Sequence, residues 1–169
     1  MILKNKVFRL LLTLSLTLSL CACGIYSFTG ASVEGKTINI HFIENKAPNA
    51  VPTLSASFTN KLRNRILSQT SLAQLNNDNT DYSIQGDITQ YDVSVASINA
   101  DAAAKNRLTI SVNIQFENKL NPKANFTQGF TRFADFPSSQ NIQSVETQLI
   151  TTISEQLADD IFNKAFVNW

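Results

Sequence analysis

Few side chains in this chain could take part in catalysis, and their spacing fits no common catalytic arrangement. His41 is the only histidine, so a zinc site, which needs several His or free Cys ligands, is not expected. A serine nucleophile would need a G-x-S-x-G turn and a phosphate site a glycine-rich loop, and neither sequence occurs. The acid pair Asp159-Asp160 lies near the end of a predicted helix and is expected to be solvated. The residues therefore predict a non-enzymatic protein with no metal and no cofactor.

Cys21 and Cys23 are the side chains best placed for covalent chemistry. They follow three basic residues and an eleven-residue segment, 10–20, that contains only Leu, Ser and Thr. Such a segment is too short to span a bilayer stably and is typical of a signal peptide. Leu20-Cys21-Ala22-Cys23 then resembles a bacterial lipobox, which implies cleavage after Ala22 and acylation of Cys23. An ordinary secretory signal with two incidental cysteines is the alternative.

The surroundings of Cys23 predict where the chain resides. Two or more acyl chains anchor a protein stably to a membrane surface. The residue after Cys23 is Gly24, whereas lipoproteins retained at the inner membrane have Asp at this position. Residues 25–30 contain no acid. We therefore expect a lipid-anchored protein on the periplasmic face of the outer membrane.

The composition predicts one domain with no affinity for nucleic acid. Three of the 14 basic residues and none of the 13 acidic residues lie in the first 22 positions, so the rest of the chain is slightly acidic. That remainder is long enough for one core. Cys23 is its only cysteine, so no internal disulfide is expected and packing must stabilise the fold.

Five basic residues are candidates for binding an anionic lipid or an acidic partner. A phosphorylated lipid or an acidic partner could use such a set. Alternatively, the long cationic stems cover the edges of the core. The five are Lys61, Arg65, Lys105, Arg107 and Arg132.

Alternating apolar and polar residues predict the strands. The segments are 37–42, 82–98, 107–117 and 126–136, with a short strand possible at 72–75. In the first, Ile38, Ile40 and Phe42 are expected inside and His41 outside. A parity change predicts a β-bulge at Thr89-Gln90, and a second change predicts a bulge or twist within 126–136.

Two amphipathic helices are expected to cover the sheet. One runs from about Thr53 to Gln69, with an apolar stripe at i+4 spacing, and a longer one follows Pro137. The order of elements predicts an α+β fold, a mainly antiparallel four-stranded sheet with both helices packed on one face. The strand over 82–98 would be roughly 55 Å long, so the single domain should be elongated. The domain organisation is a signal peptide (1–22), a lipidated N-terminal tether (23–35) and the α+β domain (36–169).

The order and spacing of several short segments resemble the LptE family of lipopolysaccharide-assembly lipoproteins, in its Bacteroidota form. The segments are Cys23-Gly24-Ile25-Tyr26-Ser27-Phe28-Thr29-Gly30, Pro52-Thr53-Leu54-Ser55, Gly86-Asp87-Ile88-Thr89, Asn106-Arg107-Leu108-Thr109-Ile110, Phe133-Ala134-Asp135-Phe136 and Asp160-Ile161-Phe162-Asn163. The resemblance implies two helices on a four-stranded sheet. It also implies a partner, the outer-membrane β-barrel LptD, which the protein would plug and help to assemble while lipopolysaccharide passes to the outer leaflet. Direct binding of lipopolysaccharide is a further implication.

Two other functions are compatible with an outer-membrane lipoprotein of this build. The chain could carry a lipid, which would require an apolar cavity between sheet and helices, or it could belong to another envelope machine. An envelope hydrolase is a third class, which the single histidine disfavours.

Overall fold

The computed structural model describes residues 33–49, 51–97 and 104–167. Cys23, the predicted signal peptide and most of the predicted tether lie outside these residues. The elements are β1 (Thr37–Ile40), β2 (Glu44–Asn45), α1 (Thr53–Gln69), β3 (Ala73–Gln74), β4 (Tyr82–Ser97), β5 (Lys105–Asn118), β6 (Phe126–Pro137) and α2 (Ile142–Phe162). A short 3-10 turn at Pro122–Ala124 and a π-helical turn at Asn163–Val167 complete them.

The fold is a single α+β domain, but its sheet is mixed and has six strands in the order β3-β1-β4-β5-β6, with β2 also paired to β4. The prediction of a mainly antiparallel four-stranded sheet is therefore wrong in detail. β4, β5 and β6 form an antiparallel meander. In contrast, β1 pairs in parallel with β3 and β4, and β2 pairs in parallel with β4. The parallel pairing of β1 with β3 has a simple cause, because the helix α1 connects them and a helical crossover returns the chain in its original direction.

The bulge predicted in the long strand is confirmed. The register of β4 against β5 shifts between Ile88 and Gln90, so Thr89 is the extra residue. Because of this shift, Tyr91 lies opposite the buried Ile110 and the apolar side chains stay on one face. β6 contains no such bulge, since its register against β5 is continuous. Phe133 points to the opposite face of a regular strand and is 48% exposed.

The two helices pack on one face of the sheet and run parallel to each other. Lys61 lies against Glu155 and, one turn later, Arg65 lies against Asp159, which is possible only if α1 and α2 have the same direction. The predicted stripes are confirmed as buried side chains at Leu54, Phe58, Leu62 and Ile66 on α1 and at Leu149, Ile153, Leu157 and Ile161 on α2. None of the described helices combines the length and apolar character needed to cross a membrane.

An aromatic cluster fills the core at one end of the sheet. Phe116 stacks on Tyr82 with ring centroids 5.9 Å apart, and Phe166 meets both rings edge-on at 5.5 Å. These three side chains come from β4, β5 and the turn after α2. The contacts therefore tie the end of the chain to the sheet.

The prediction for the first strand is wrong at its end. β1 stops at Ile40, so the alternation does not continue and Phe42 is 58% exposed, while Ile43 is fully buried instead. His41 is half-buried. The chain leaves the regular pleat here because β1 and β2 are two separate pieces paired along the same side of β4.

Asp81 fixes the start of β4 to the start of β1. Its carboxylate accepts hydrogen bonds from the backbone N–H groups of Lys36 (2.8 Å) and Thr37 (3.0 Å) and from the Thr37 hydroxyl (3.0 Å). The bond from Lys36, followed by those from Thr37, holds the pKa of Asp81 below its usual range. These bonds are made to the charged form, so protonation of the carboxyl weakens them.

This clamp makes a prediction about acid stability. The unfolded Asp carboxyl titrates near 3.9 and the folded one lower, so the contribution of Asp81 is complete above about pH 5 and is lost as the pH falls through the folded pKa. Asp81→Ala should therefore destabilise the protein at pH 7 by about 1–2 kcal/mol and by a smaller amount at pH 3. Urea unfolding at both pH values measures this. An equal loss at the two pH values would contradict the assignment.

Candidate functional site

The face of the sheet opposite the helices is mostly polar. On β5 the even-numbered residues from Leu108 to Asn118 are buried beneath the helices, and the odd-numbered ones are exposed or half-buried. This second set, with the residues of β4 and β6 that lie beside it, is called the polar sheet face. Its β5 members are Arg107, Thr109, Ser111, Asn113, Gln115 and Glu117.

Hydrogen bonds between side chains cross the polar sheet face from strand to strand. The Ser111 hydroxyl lies 3.0 Å from the side-chain oxygen of Gln90 on β4 and 2.8 Å from the Thr131 hydroxyl on β6. The Gln85 amide donates to Gln115 at 3.1 Å. Such cross-strand pairs restrict the rotamers of polar side chains. The face is therefore an ordered array of hydroxyl and amide groups.

An ion pair closes one end of the polar sheet face. The Arg107 guanidinium donates two hydrogen bonds to the Asp135 carboxylate, at 2.7 and 3.1 Å, and lies 3.6 Å from the centre of the Phe133 ring. Hydrogen bonding to Arg107 holds the pKa of Asp135 below its usual range. The pair stays charged at neutral pH and presents an exposed phenyl ring beside it.

A shallow groove of about 350 Å³ lies at the other end of the polar sheet face. Its floor is formed by side chains of that face, among them Gln85, Asn113 and Thr127, and one wall by His41 and Phe42. Neither Asn113 nor Thr127 makes a side-chain hydrogen bond within the described part of the chain. The groove therefore offers solvent-exposed polar groups without a side-chain partner, next to an exposed aromatic ring.

The structure separates the five predicted basic residues into two groups. Lys61, Arg65 and Arg132 lie on the helix side, and Lys105 and Arg107 lie at one end of the polar sheet face. Four of the five make ion pairs within the chain, Lys61 with Glu155 (2.6 Å), Arg65 with Asp159 (2.8 Å), Arg107 with Asp135 (2.7 Å) and Arg132 with Asp160 (2.5 Å). Lys105 is exposed and makes no salt bridge with any described residue.

Sequence reasoning missed the acidic partners of these cations. Asp159 and Asp160 were expected to be solvated, but Asp159 forms an ion pair with Arg65 of α1 and Asp160 forms one with Arg132 of β6. The sequence did contain a sign of the two ion pairs between the helices, because Glu155 and Asp159 repeat the four-residue spacing of Lys61 and Arg65. Opposite charges at matched spacing are compatible with helices that lie side by side, and the observed pairs show that the two helices have the same direction.

Two solved structures of bacterial proteins have a similar fold. A minor lipoprotein from Acinetobacter baumannii is 16% identical, with a TM-score of 0.52 over 76% of this chain and 91% of its own. A hypothetical protein from Chlamydia trachomatis is 9% identical, with a TM-score of 0.54 over 78% of this chain and 97% of its own. At these identities the likeness concerns the fold alone. No curated protein sequence is significantly similar to this chain.

The sequence itself matches a family model over residues 35–165, described as LptE, lipopolysaccharide-assembly. That match includes every strand and both helices of the domain. The family consists of non-enzymatic lipoproteins of the cell envelope with a role in lipopolysaccharide assembly. Most of the chain is covered, and the chain therefore belongs to the LptE family.

Proposed function

We propose that the chain is the plug and assembly partner of an LptD-like outer-membrane β-barrel, and that it supports the transport of lipopolysaccharide to the outer leaflet. The observation that carries this proposal is the polar sheet face, which spans three strands and is covered by neither helix. The lumen of a large outer-membrane barrel is lined by polar side chains. A plug must present hydrogen-bonding groups to that lumen, and this face does so with ordered Ser, Thr, Asn and Gln side chains.

The fixed conformations of these side chains favour a stable contact with a partner. Ser111, Gln90 and Thr131 already hold one another in place, so little side-chain freedom is lost when the face is covered. An acyl anchor on Cys23 would add to this effect, because it confines the domain near the same membrane and raises its effective concentration at the barrel. Outer-membrane attachment through Cys23, on the periplasmic side, is part of the proposal.

The proposed contact with lipopolysaccharide rests on the five basic residues. A lipid phosphate at Lys61, Arg65 or Arg132 would have to compete with a carboxylate already in place. Lys105 has no such competitor within 4 Å among the described residues, and Arg107 lies two positions away on the same face. Arg107 is itself paired with Asp135, so we propose that phosphate binding, if lipopolysaccharide binds directly, is strongest at Lys105.

A pair of matched variants tests the assignment of the polar sheet face. Asn113→Arg places a long charged side chain in the centre of this face without breaking a hydrogen bond of the wild type, and Gln148→Arg makes the same change in charge on the exposed side of α2. When the tagged variants are purified from membranes in mild detergent, we expect at least about tenfold less barrel protein with Asn113→Arg than with the wild type. Gln148→Arg should bring down a wild-type amount. Equal recovery by both variants would contradict the proposed face. Recovery of lipid without a barrel would favour a lipid carrier.

A further inference from the structure

The turn between β5 and β6, residues 119–125, lies at the point where the chain enters the domain. The Asp81 carboxylate holds the backbone at the start of β1, and the carbonyl of the same residue accepts the N–H of Lys119 at 2.9 Å. This end of the sheet, where β1 begins and α2 ends, is called the tether end. An acyl anchor on Cys23 would be joined to the domain here.

The tether end holds most of the cations that lack an acidic partner. Eleven of the 14 Lys and Arg residues lie in the described part of the chain, and five of them make salt bridges there. Four of the other six are exposed at the tether end, namely Lys36, Lys119, Lys123 and Lys164. They outnumber the exposed acids at this end, Glu34 and Asp78, and residues 118–134 and 161–169 contain no acid. The tether end is therefore suited to an anionic surface.

The turn also holds an exposed leucine on a fixed backbone. The buried Asn118 side chain accepts the N–H groups of Leu120 and Asn121, each at 2.9 Å, and the Asn125 side chain accepts the N–H of Asn118 at 2.7 Å. Leu120 is nonetheless 50% exposed, and Val167, in the last turn of the chain, is 49% exposed. Cations beside exposed apolar side chains are the groups with which peripheral proteins bind anionic membranes.

We propose that the tether end docks on an anionic phospholipid surface, the leaflet that holds the acyl anchor, with Leu120 among the headgroups and the four lysines at their phosphates. Charge complementarity supports this occupant, because each lysine close to an anionic leaflet adds to binding. The length of chain outside the structure supports it as well. Val33 follows Cys23 by ten positions, and ten residues span at most about 36 Å, so an anchored domain keeps its tether end near the lipid. The inference rests on the proposed attachment through Cys23.

This contact is compatible with a single barrel partner. The docking groups lie at the tether end, whereas the polar sheet face runs along the strands away from it. One copy can therefore present that face to the barrel lumen and rest its tether end on the leaflet at the periplasmic rim. A few lysines bind a membrane more weakly than one acyl chain, which itself gives only marginal binding. Docking therefore orients an anchored domain and does not replace the anchor.

A fluorescent label at Leu120→Cys tests the contact in the full-length, acylated protein reconstituted in phospholipid vesicles. Spin-labelled lipid should quench this label in vesicles that contain phosphatidylglycerol, and much less in vesicles of phosphatidylcholine alone. The matched control is Gln148→Cys, which is also exposed but lies roughly 20 Å from the end of α2, and its label should stay unquenched in both. The wild type gives the labelling background. Equal quenching at the two positions, or quenching that does not depend on anionic lipid, would overturn the proposal.

Flotation of the same vesicles reports the anchor separately from the docking. Protein that does not float would refute the attachment through Cys23 and the docking with it. Floating protein whose Leu120→Cys label is unquenched would refute the docking alone. The vesicles contain no barrel, so neither result bears on the proposed plug.

A change in charge tests the role of the lysines. In the Leu120→Cys protein, Lys123→Gln should lower the ratio of docked to undocked protein about fivefold, because one cation is lost beside the anionic leaflet. Lys123 makes no salt bridge with a described residue, so no ion pair of the fold is broken. Gln148→Glu changes the net charge by the same amount and should leave the ratio unchanged. Equal effects of the two changes would contradict docking through the tether end.

Discussion

Cys23→Ser is expected to move the protein from the membrane fraction to the soluble fraction of fractionated cells. Each buried methylene of an acyl chain contributes about 0.8 kcal/mol to membrane binding, and two or more chains give a stable anchor. None of the described helices is suited to crossing a membrane. The comparison is made in cells depleted of the barrel, because the proposed plug contact would also retain the domain. We expect the membrane-bound share to fall by at least about a hundredfold. Fractionation followed by immunoblotting measures it.

The matched control is Cys21→Ser, because Cys21 lies two residues away and differs from Cys23 in its predicted fate. Cleavage after Ala22 would remove Cys21 from the mature protein, so this variant should fractionate like the wild type. Intact-mass measurement should also show the acyl mass on the Cys21 variant and not on the Cys23 variant. A wild-type mass without acyl chains, or membrane retention of Cys23→Ser in cells depleted of the barrel, would contradict the lipid anchor.

Gly86→Ala is expected to be the most damaging single-methyl change in the sheet. A Cβ at Gly86 would lie 2.1 Å from the Asn113 carbonyl oxygen and 3.0 Å from the Ile114 side chain. The first of these contacts is with backbone, which cannot rotate away, so β4 and β5 must separate at this point. The expected loss is about 3 kcal/mol or more of the free energy of unfolding, measured by urea denaturation.

Gly129→Ala is the control for this prediction, because it makes the same change on the neighbouring edge strand. The nearest atom to an added Cβ there is 4.0 Å away, so the free energy of unfolding should change by no more than about 1 kcal/mol. If the two variants were equally stable, the close approach of β4 and β5 at Gly86 would be refuted.

The sequence predicted the regular parts of the fold because their signals are long and periodic. β5 alternates without fault over its length, and α1 and α2 carry apolar stripes at helical spacing. The bulge at Thr89 was visible as a parity change, because a bulge shifts every later side chain by one position. In each case many residues repeat one pattern, so a single exception does not hide it.

The parallel part of the sheet could not be predicted in the same way. β3, at Ala73–Gln74, confirms the short strand that was possible at 72–75, but its parallel pairing with β1 is set by the helical crossover rather than by local sequence. β2 has two residues, which is too few for any periodicity. Phe42 was misplaced for the same reason, because the sequence does not show that β1 stops at Ile40. These are tertiary effects that override a local pattern.

The candidate site was only partly predictable. The polar character of β5 is evident in the sequence, but the ion pairs that neutralise Arg65 and Arg132 join residues 94 and 28 positions apart. A cluster of basic residues in a sequence therefore overstates the positive charge available to a ligand. Only the fold reveals which of these cations already have a partner.

The proposed partnership with a barrel is tested most directly by purifying the tagged, full-length protein from its native membranes in mild detergent and identifying what comes with it by mass spectrometry. The plug proposal predicts one large outer-membrane β-barrel protein at near-equal stoichiometry, reduced by Asn113→Arg and retained by Gln148→Arg. Recovery of the lipoprotein without any barrel would contradict the proposal.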